Sequence, residues 1–381
     1  MNDLKQYDTW LADGGPAALV IREHLVPVDG PDGVFFPATF AAAEDKRDFA
    51  GGYNIDEWEE GGKTRNACLI DSIGSQANRI EPLFIKEPLR DLVPQITVKA
   101  GTKVVNLLEA GHRAGDAIVR CSALQERLRS AFQEVLKGDA QPLAKVAPTS
   151  LVFGVWDSRD TQAKLPRLLA SSIRAYDVVR LHRSAQYNPA IDYVASQVMD
   201  DPADKKTNDA YSERGFKHVP ATWSHGGIKL VAGGVVRRDA TLSLAALRLL
   251  AVREGGGAIN DDRTLALRRY ILGLTLVAFT AQQGSYLRQG CQLVPDIEKP
   301  RETTLVHGDG KRESSAVSHD HALAYARAAA KAFGVGANEE VSFDKQRAMA
   351  DIKGENTTIS TKSTRSKKAQ AATTTTGETS E

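Results

Sequence analysis

Apolar positions change their period several times along this chain, and each period predicts an element. In "ALVIREHLVPV" they alternate, so residues 18–28 are expected to form a first strand with Leu19, Ile21, Glu23 and Leu25 on one side. "ACLID" and "QITVKA" predict short strands, and the unbroken run "TSLVFGVW" predicts a buried one. A spacing of three and four takes over in "SIGSQANRIE", stopped by Pro82, and in "ALQERLRSAFQEVLKG", where Leu124, Leu128, Phe132 and Leu136 form a stripe ahead of Gly138. The same spacing predicts helices in "LPRLLASSIRAYDVVRLH", "ATLSLAALRLLAV" and "SHDHALAYARAAAKAFGV", with "DRTLALRRYILGLTLVAFTAQQ" the longest. "GIKLVAGGVV" predicts a strand or hairpin arm interrupted by glycines.

The segments between these elements are informative too. A Gly-, Pro- and acid-rich connection runs to about Gly62, and a polar loop spans 184–227. Beyond 337 the apolar pattern fades into "KGENTTISTKSTRSKKAQAATTTTGETSE", a low-complexity composition that cannot bury a core and is expected to be disordered. Strands mixed with helices, with neither a Walker pattern nor a Gly-rich fingerprint after the first strand, predict an α+β domain with large insertions over 1–337 and a tail over 338–381. No internal repeat is present.

Composition narrows the class. At 381 residues, with 42% hydrophobic and 25% charged positions, the chain reads as an ordinary globular protein. Its three cysteines are scattered without a C-x-x-C pair, which fits a reducing compartment and no metal. The first residues lack the pattern of a secretory signal, and the most apolar run, 271–281, is about half the roughly 20 residues a membrane span needs. A cytoplasmic location without a membrane partner is expected. The net charge of +1 hides an uneven distribution, because acids far outnumber bases between residues 1 and 60. Bases prevail from 145 to 183, where Arg159, Lys164, Arg167 and Arg174 lie, and again from Lys205 to Arg269, where Arg237 and Arg238 lie. Such local fields can hold a polyanion on a neutral protein.

The sharpest chemical signal is "CLIDSIGSQANRIEP". On a helix, Ser72, Ser75, Gln76 and Arg79 share one stripe, and Ile73, Ala77 and Ile80 form an apolar seam. Solvated helix faces favour Lys and Glu, whereas this one offers uncharged hydrogen-bonders, Asn78 among them, beside a helix N-terminus. Those donors suit phosphate and sugar oxygens, and Arg79 adds charge. Capping the helix and satisfying a neighbouring loop is the competing use of the same side chains.

These residues carry a resemblance. "LIDSIGSQANRIEP", "LVFGVWDSR" and "PRLLASSIRAYDVV" resemble the Cas-seven-like backbone subunit of type I-G (formerly I-U) CRISPR Cascade complexes, in the RAMP superfamily, over residues 15 to 300 or so. The resemblance implies an RRM-like (ferredoxin-like) palm with inserted finger and thumb elements, and a non-catalytic subunit polymerised along a guide RNA that pairs with target DNA in antiviral defence. It implies as partners further copies of the chain, the large subunit, the subunit that processes and caps the guide, and a recruited helicase-nuclease. Ser72, Ser75, Gln76, Asn78 and Arg79 would then cradle the guide backbone. Arg159 would lie nearby, with Trp156 expected in the core.

Under that reading the loop 184–227 is the thumb. Lys205, Lys206, Arg214, Lys217 and His225 would grip phosphates, and Tyr211, Phe216 and Trp223 would stack on or wedge between bases. Neither a cofactor nor a metal is called for, since His319 and His321 of "SHDH" stand two apart on a helix start and diverge. Asp71 is the one catalytic candidate, as the acid of a metal-dependent RNA-cleaving RAMP subunit, but capping the following helix is its expected role. A general single-stranded RNA-binding protein is the remaining alternative.

Overall fold

The computed structural model describes residues 4–353 apart from 256 and 283; the low-complexity stretch beyond 353 lies outside the described residues. Strand β1 (Ala18–Pro27) is followed by the hairpin strands β2 (Ile55–Glu60) and β3 (Lys63–Asp71), helix α1 (Ile73–Ile80), strands β4 (Ile96–Ala100) and β5 (Lys103–Asn106), and helix α2 (Gln125–Leu136). Two long strands come next, β6 (Leu169–Tyr187) and β7 (Val219–Ser243), with helix α3 (Lys205–Glu213) between them. Helix α4 (Asp261–Thr280), strands β8 (Tyr286–Arg288), β9 (Cys291–Pro295), β10 (Glu302–Val306) and β11 (Arg312–Ser314), helix α5 (His319–Phe333), strand β12 (Glu339–Ser342) and helix α6 (Lys345–Lys353) complete the chain.

The main sheet runs β8-β9-β1-β7-β6-β3-β2, with β10 also on β1 and β11 on β10. Neighbours are antiparallel throughout. Taken alone, β1, β6, β7 and β10 lie in the order fourth, first, third, second, with α1 and α2 in the first crossover and α4 in the second. That is the ferredoxin-like strand-helix-strand-strand-helix-strand topology. The α+β class and the first-strand alternation expected from the sequence are both present.

One face of this sheet is buried. Leu19 and Ile21 of β1, Leu169 of β6 and Ala240 and Leu242 of β7 join α2, α4 and α5 in the main core. Further along the same face, Leu25, Cys68, Ile173, Ala175 and Val236 form a second core with Phe35, Tyr53, Leu287 and Leu293. Helix α4 is apolar on nearly every side because it lies inside the main core, and Gly273 lets α5 approach so closely that a Cβ there would stand 2.8 Å from Ala326 Cα.

Four elements depart from the sequence expectation. "LPRLLASSIRAYDVVRLH" is strand β6, not a helix. Its inward positions 169, 171, 173 and 175 alternate until a bulge at Asp177 (φ 56°) shifts the series to Val178, which mimics a helical spacing. "TSLVFGVW" begins inside the helix Pro148–Phe153, buried at all six positions and ended by Gly154 at φ 76°; burial on every side leaves no period to read. In "ATLSLAALRLLAV" the residues through Ser243 extend β7, and only Leu244–Leu247 is helical. The folded chain also continues past 337: β12 pairs in parallel with β4, and α6 docks through Arg120 to Asp351 (3.0 Å) and Arg347 to Gln125 (2.6 Å).

Candidate nucleic-acid interface

Side chains alternate along a strand, so the face opposite the cores is fixed by the same register. It carries Arg22 and His24 of β1, Ser172, Arg174 and Tyr176 of β6, and Arg237 and Asp239 of β7. His24, Arg237 and Arg174 stand opposite one another in one row, and Arg22, Asp239 and Ser172 in the next. Arg237 lies over the Tyr176 ring, 4.8 Å from its centroid, and its Nε is 3.0 Å from each Asp239 carboxylate oxygen. Arg174 donates to Ser172 Oγ at 2.8 Å, and Arg22 is 4.0 Å from Asp239. Three guanidinium groups thus outnumber Asp239 and the Glu302 that faces Arg22 from β10. The arrangement offers phosphate donors beside an aromatic surface.

Arg238 points the other way. It is buried on the core face, with Nε 2.7 Å from Glu23 Oε2 on the paired strand, so its sequence-based assignment to RNA is corrected: a neighbour on an alternating strand cannot share the exposed face of Arg237.

Helix α1 sits under β6 and is rotated from the expected orientation. Gln76, Ala77 and Ile80 are its buried positions, and Ile73 is exposed. Gln76 is fully buried, donating to Asp71 Oδ2 at 2.6 Å and accepting from Ser171 Oγ at 2.8 Å, so it too is removed from any RNA surface. Ser72, not Asp71, is the N-cap, accepting from the Ser75 backbone N–H at 3.2 Å. Asp71 is instead the buried acceptor shared by Gln76 and Arg79 Nε (3.2 Å). Arg79 Nη2 in turn donates to the Leu287 carbonyl at 2.7 Å. Arg79 and Asn78 keep exposed surface at the end of the helix.

From the open face the paired strands β6 and β7 run on as an arm. Its exit angle is set at the bulge, where Arg65 grips Asp177 through two contacts of 2.7 and 2.6 Å and Asn66 pairs with the Val178 backbone. The expected loop 184–227 is therefore structured: it holds the ends of both strands and helix α3. Lys205, Lys206 and Arg214 are exposed around α3, and Arg180 and Arg183 along β6. Lys217 donates to Asn208 Oδ1 at 2.9 Å, and Phe216 packs edge-on against Tyr193 and Tyr211 in a small cluster of its own. Trp223 is 61% exposed, while His225, beside it, packs toward Tyr53 at the base of the arm.

A second basic surface lies on the short hairpin pairing Val155–Trp156 with Lys164–Leu165. Arg159, Lys164 and Arg167 are exposed there. Trp156, expected in the core, is 56% exposed. The hairpin is tied to α1 by buried Arg113, whose guanidinium reaches the Gly154 carbonyl and Asn78 Oδ1 and stands 2.6 Å from Glu81 Oε2. Burial pushes the Glu81 carboxyl up to about 7, against the opposing pull of Arg113.

Sequence reasoning left Arg22, His24 and Tyr176 out of the candidate surface, and counted Arg180 and Arg183 only within the basic run from 145 to 183. The strand parity that would have found the first three is present in β1 and β6, and it is masked in β6 by the bulge. His319, dismissed as a metal ligand, shares a 2.9 Å hydrogen bond with Thr280 Oγ1. Buried Cys68 and Cys291 have thiols pushed up to about 12 by desolvation. Among the described residues no helix is long and apolar enough to cross a membrane.

Among known families, the model described as CRISPR-associated protein GSU0053 matches residues 19–180, a span from β1 through α1 to Arg180 on β6. The match covers less than half of the chain and supports a role in CRISPR defence. No curated protein matches the chain.

Proposed function

We propose that the protein is a guide-RNA-binding backbone subunit of a type I CRISPR effector complex, of the Cas-seven-like kind found in type I-G. In this role copies polymerise head to tail along the guide and present it to the target DNA strand. The remaining Cascade subunits and a helicase-nuclease complete the system. The observation that carries the proposal is the continuity of basic and aromatic groups from the open face of a ferredoxin-like sheet, through Arg174, Arg237 and Tyr176, onto a long arm bearing Arg180, Arg183, Lys205, Lys206, Arg214 and Trp223. Single-stranded nucleic acid needs this combination of phosphate-binding charge and stacking surface.

The subunit acts without cutting. Asp71 sits at 6% exposure, with one carboxylate oxygen already shared by Gln76 and Arg79, which suits it to holding α1 in place and not to a metal.

Expression with a CRISPR transcript, purification and sequencing of the bound RNA test the proposal. Guide RNA is expected in the wild type. The double variant Arg174→Ala, Arg237→Ala should bind more weakly, with the logarithmic salt slope reduced by about two. A wild-type protein that carries no RNA, or guide-dependent cleavage abolished by Asp71→Asn, would contradict it.

A further inference from the structure

We propose that Trp156 is a stacking platform for an unpaired nucleobase, with Arg159, Lys164 and Arg167 holding the flanking phosphates. The inference rests on the nucleic-acid reading above and adds to it a site distinct from the sheet face and the arm.

A tryptophan with more than half its surface open stands in the first strand of a two-residue hairpin. Lys164, its direct cross-strand partner, holds Nζ 5.5 Å from the ring centroid. Ordinary surfaces hide such a ring, because burying it removes a large apolar area from water. Here the surrounding structure keeps it out.

The turn is rigid. Asp157, buried beside Trp156, accepts from the Thr161 backbone N–H at 2.8 Å and from its hydroxyl at 2.6 Å, and the Asp157 and Gln162 backbone groups close the loop. Gly115 packs so near that a Cβ there would lie 3.0 Å from the Trp156 carbonyl oxygen. Binding therefore orders little that is not already ordered, which favours affinity.

Charge identifies the class of ligand. The acids of the turn are both used internally, Asp157 by Thr161 and Asp160 by Arg129 at 2.9 Å. Arg159, Lys164 and Arg167 remain exposed and form no ion pair among the described residues. An exposed aromatic ring with Lys164 over it, with Arg159 and Arg167 exposed on the same hairpin segment and no free carboxylate in the turn, matches a base between phosphates better than a protein surface of mixed charge. The Arg113 guanidinium, bonded to both the Gly154 carbonyl and Asn78, places this platform beside the exposed end of α1, so one strand can touch both. The same chemistry serves the guide RNA or an opened strand of target DNA.

Full-length protein titrated with a single-stranded homopolymeric RNA, and in parallel with DNA of the same length, tests the site. Trp156→Ala should weaken binding to at least one of the two by about fivefold to a hundredfold, the range of one base-aromatic stack. Its salt slope should be unchanged, and Trp156→Tyr should recover most of the loss. Lys164→Gln should instead lower the salt slope by about one. Loss on RNA alone assigns the platform to the guide, and loss on DNA alone to the target strand. Wild-type affinity of Trp156→Ala for both overturns this inference and leaves the broader proposal standing. So does unchanged affinity joined to loss of a Cascade subunit from the purified complex, which would make Trp156 a protein contact. A wild-type protein that binds neither polymer overturns both.

Discussion

At the scale of single residues, the positions most charged with meaning in the sequence turn out to be divided between fold and surface. Asp71, Gln76 and Arg79 are joined in one hydrogen-bonded group that fixes α1 against β6 and β8. The polar stripe was legible in the sequence, but which side of it faced inward was not, because Gln76 finds Ser171 on a strand 95 residues away. Glu81 and Arg113 form a second such group, and it yields a pH prediction. The native protein keeps the Glu81 proton to about pH 7, whereas an unfolded chain releases it near 4.5. Stability from this group is therefore full below about 4.5 and is lost as pH rises through 7. Glu81→Gln keeps the neutral form at every pH, so denaturant titrations should show it gaining on the wild type between pH 4.5 and 7, by up to about 3 kcal/mol. A difference that does not change with pH would mean that Arg113 holds the carboxylate ionised.

Among the elements, β6 and β7 decide how the site is built. β6 runs from the palm into the arm and β7 returns from the arm into the palm, and the change occurs at a bulge where Asp177 stands against residues 231–234, Gly233 and Gly234 among them. The glycine pair announced an interruption in the sequence. The bulge in β6 did the opposite, breaking an alternation that would have identified the strand and lined up Arg174 with Tyr176. Helices with one buried stripe, such as α2 and α5, were readable for the reason that the helix Pro148–Phe153 was not. Beyond the second core the arm packs mainly on itself, through Phe216, Tyr193 and Tyr211. Replacing 184–223 with a short glycine-containing turn should therefore leave the thermal melting midpoint within a few degrees of the wild type and weaken RNA binding at least tenfold. A cooperative loss of the whole fold would show that the arm is part of the core.

For the whole molecule, the uneven charge of the sequence survives folding only in part. Glu23 and Asp8 are taken up by Arg238 and Arg269 inside the subunit. Glu57, Glu59 and Glu60 stay exposed on the edge strand β2, at the far side of the sheet from β8. The arm carries both signs in nearly equal number, and the opposite sign is presented by Arg22, Arg174 and Arg237 on the open face of the sheet. An acidic edge and a basic sheet face on one subunit favour a contact between copies that does not close on itself and so grows in a line. Surface pairs of this kind are weak alone, which leaves RNA to hold the line together and set its length. Mass measurement by light scattering or native mass spectrometry, on complexes assembled with guides of increasing length, tests this most directly. The expected result is a monomeric or heterogeneous protein without RNA, and a copy number that rises by whole steps as the guide lengthens. A stoichiometry that stays fixed for every guide length would contradict the account.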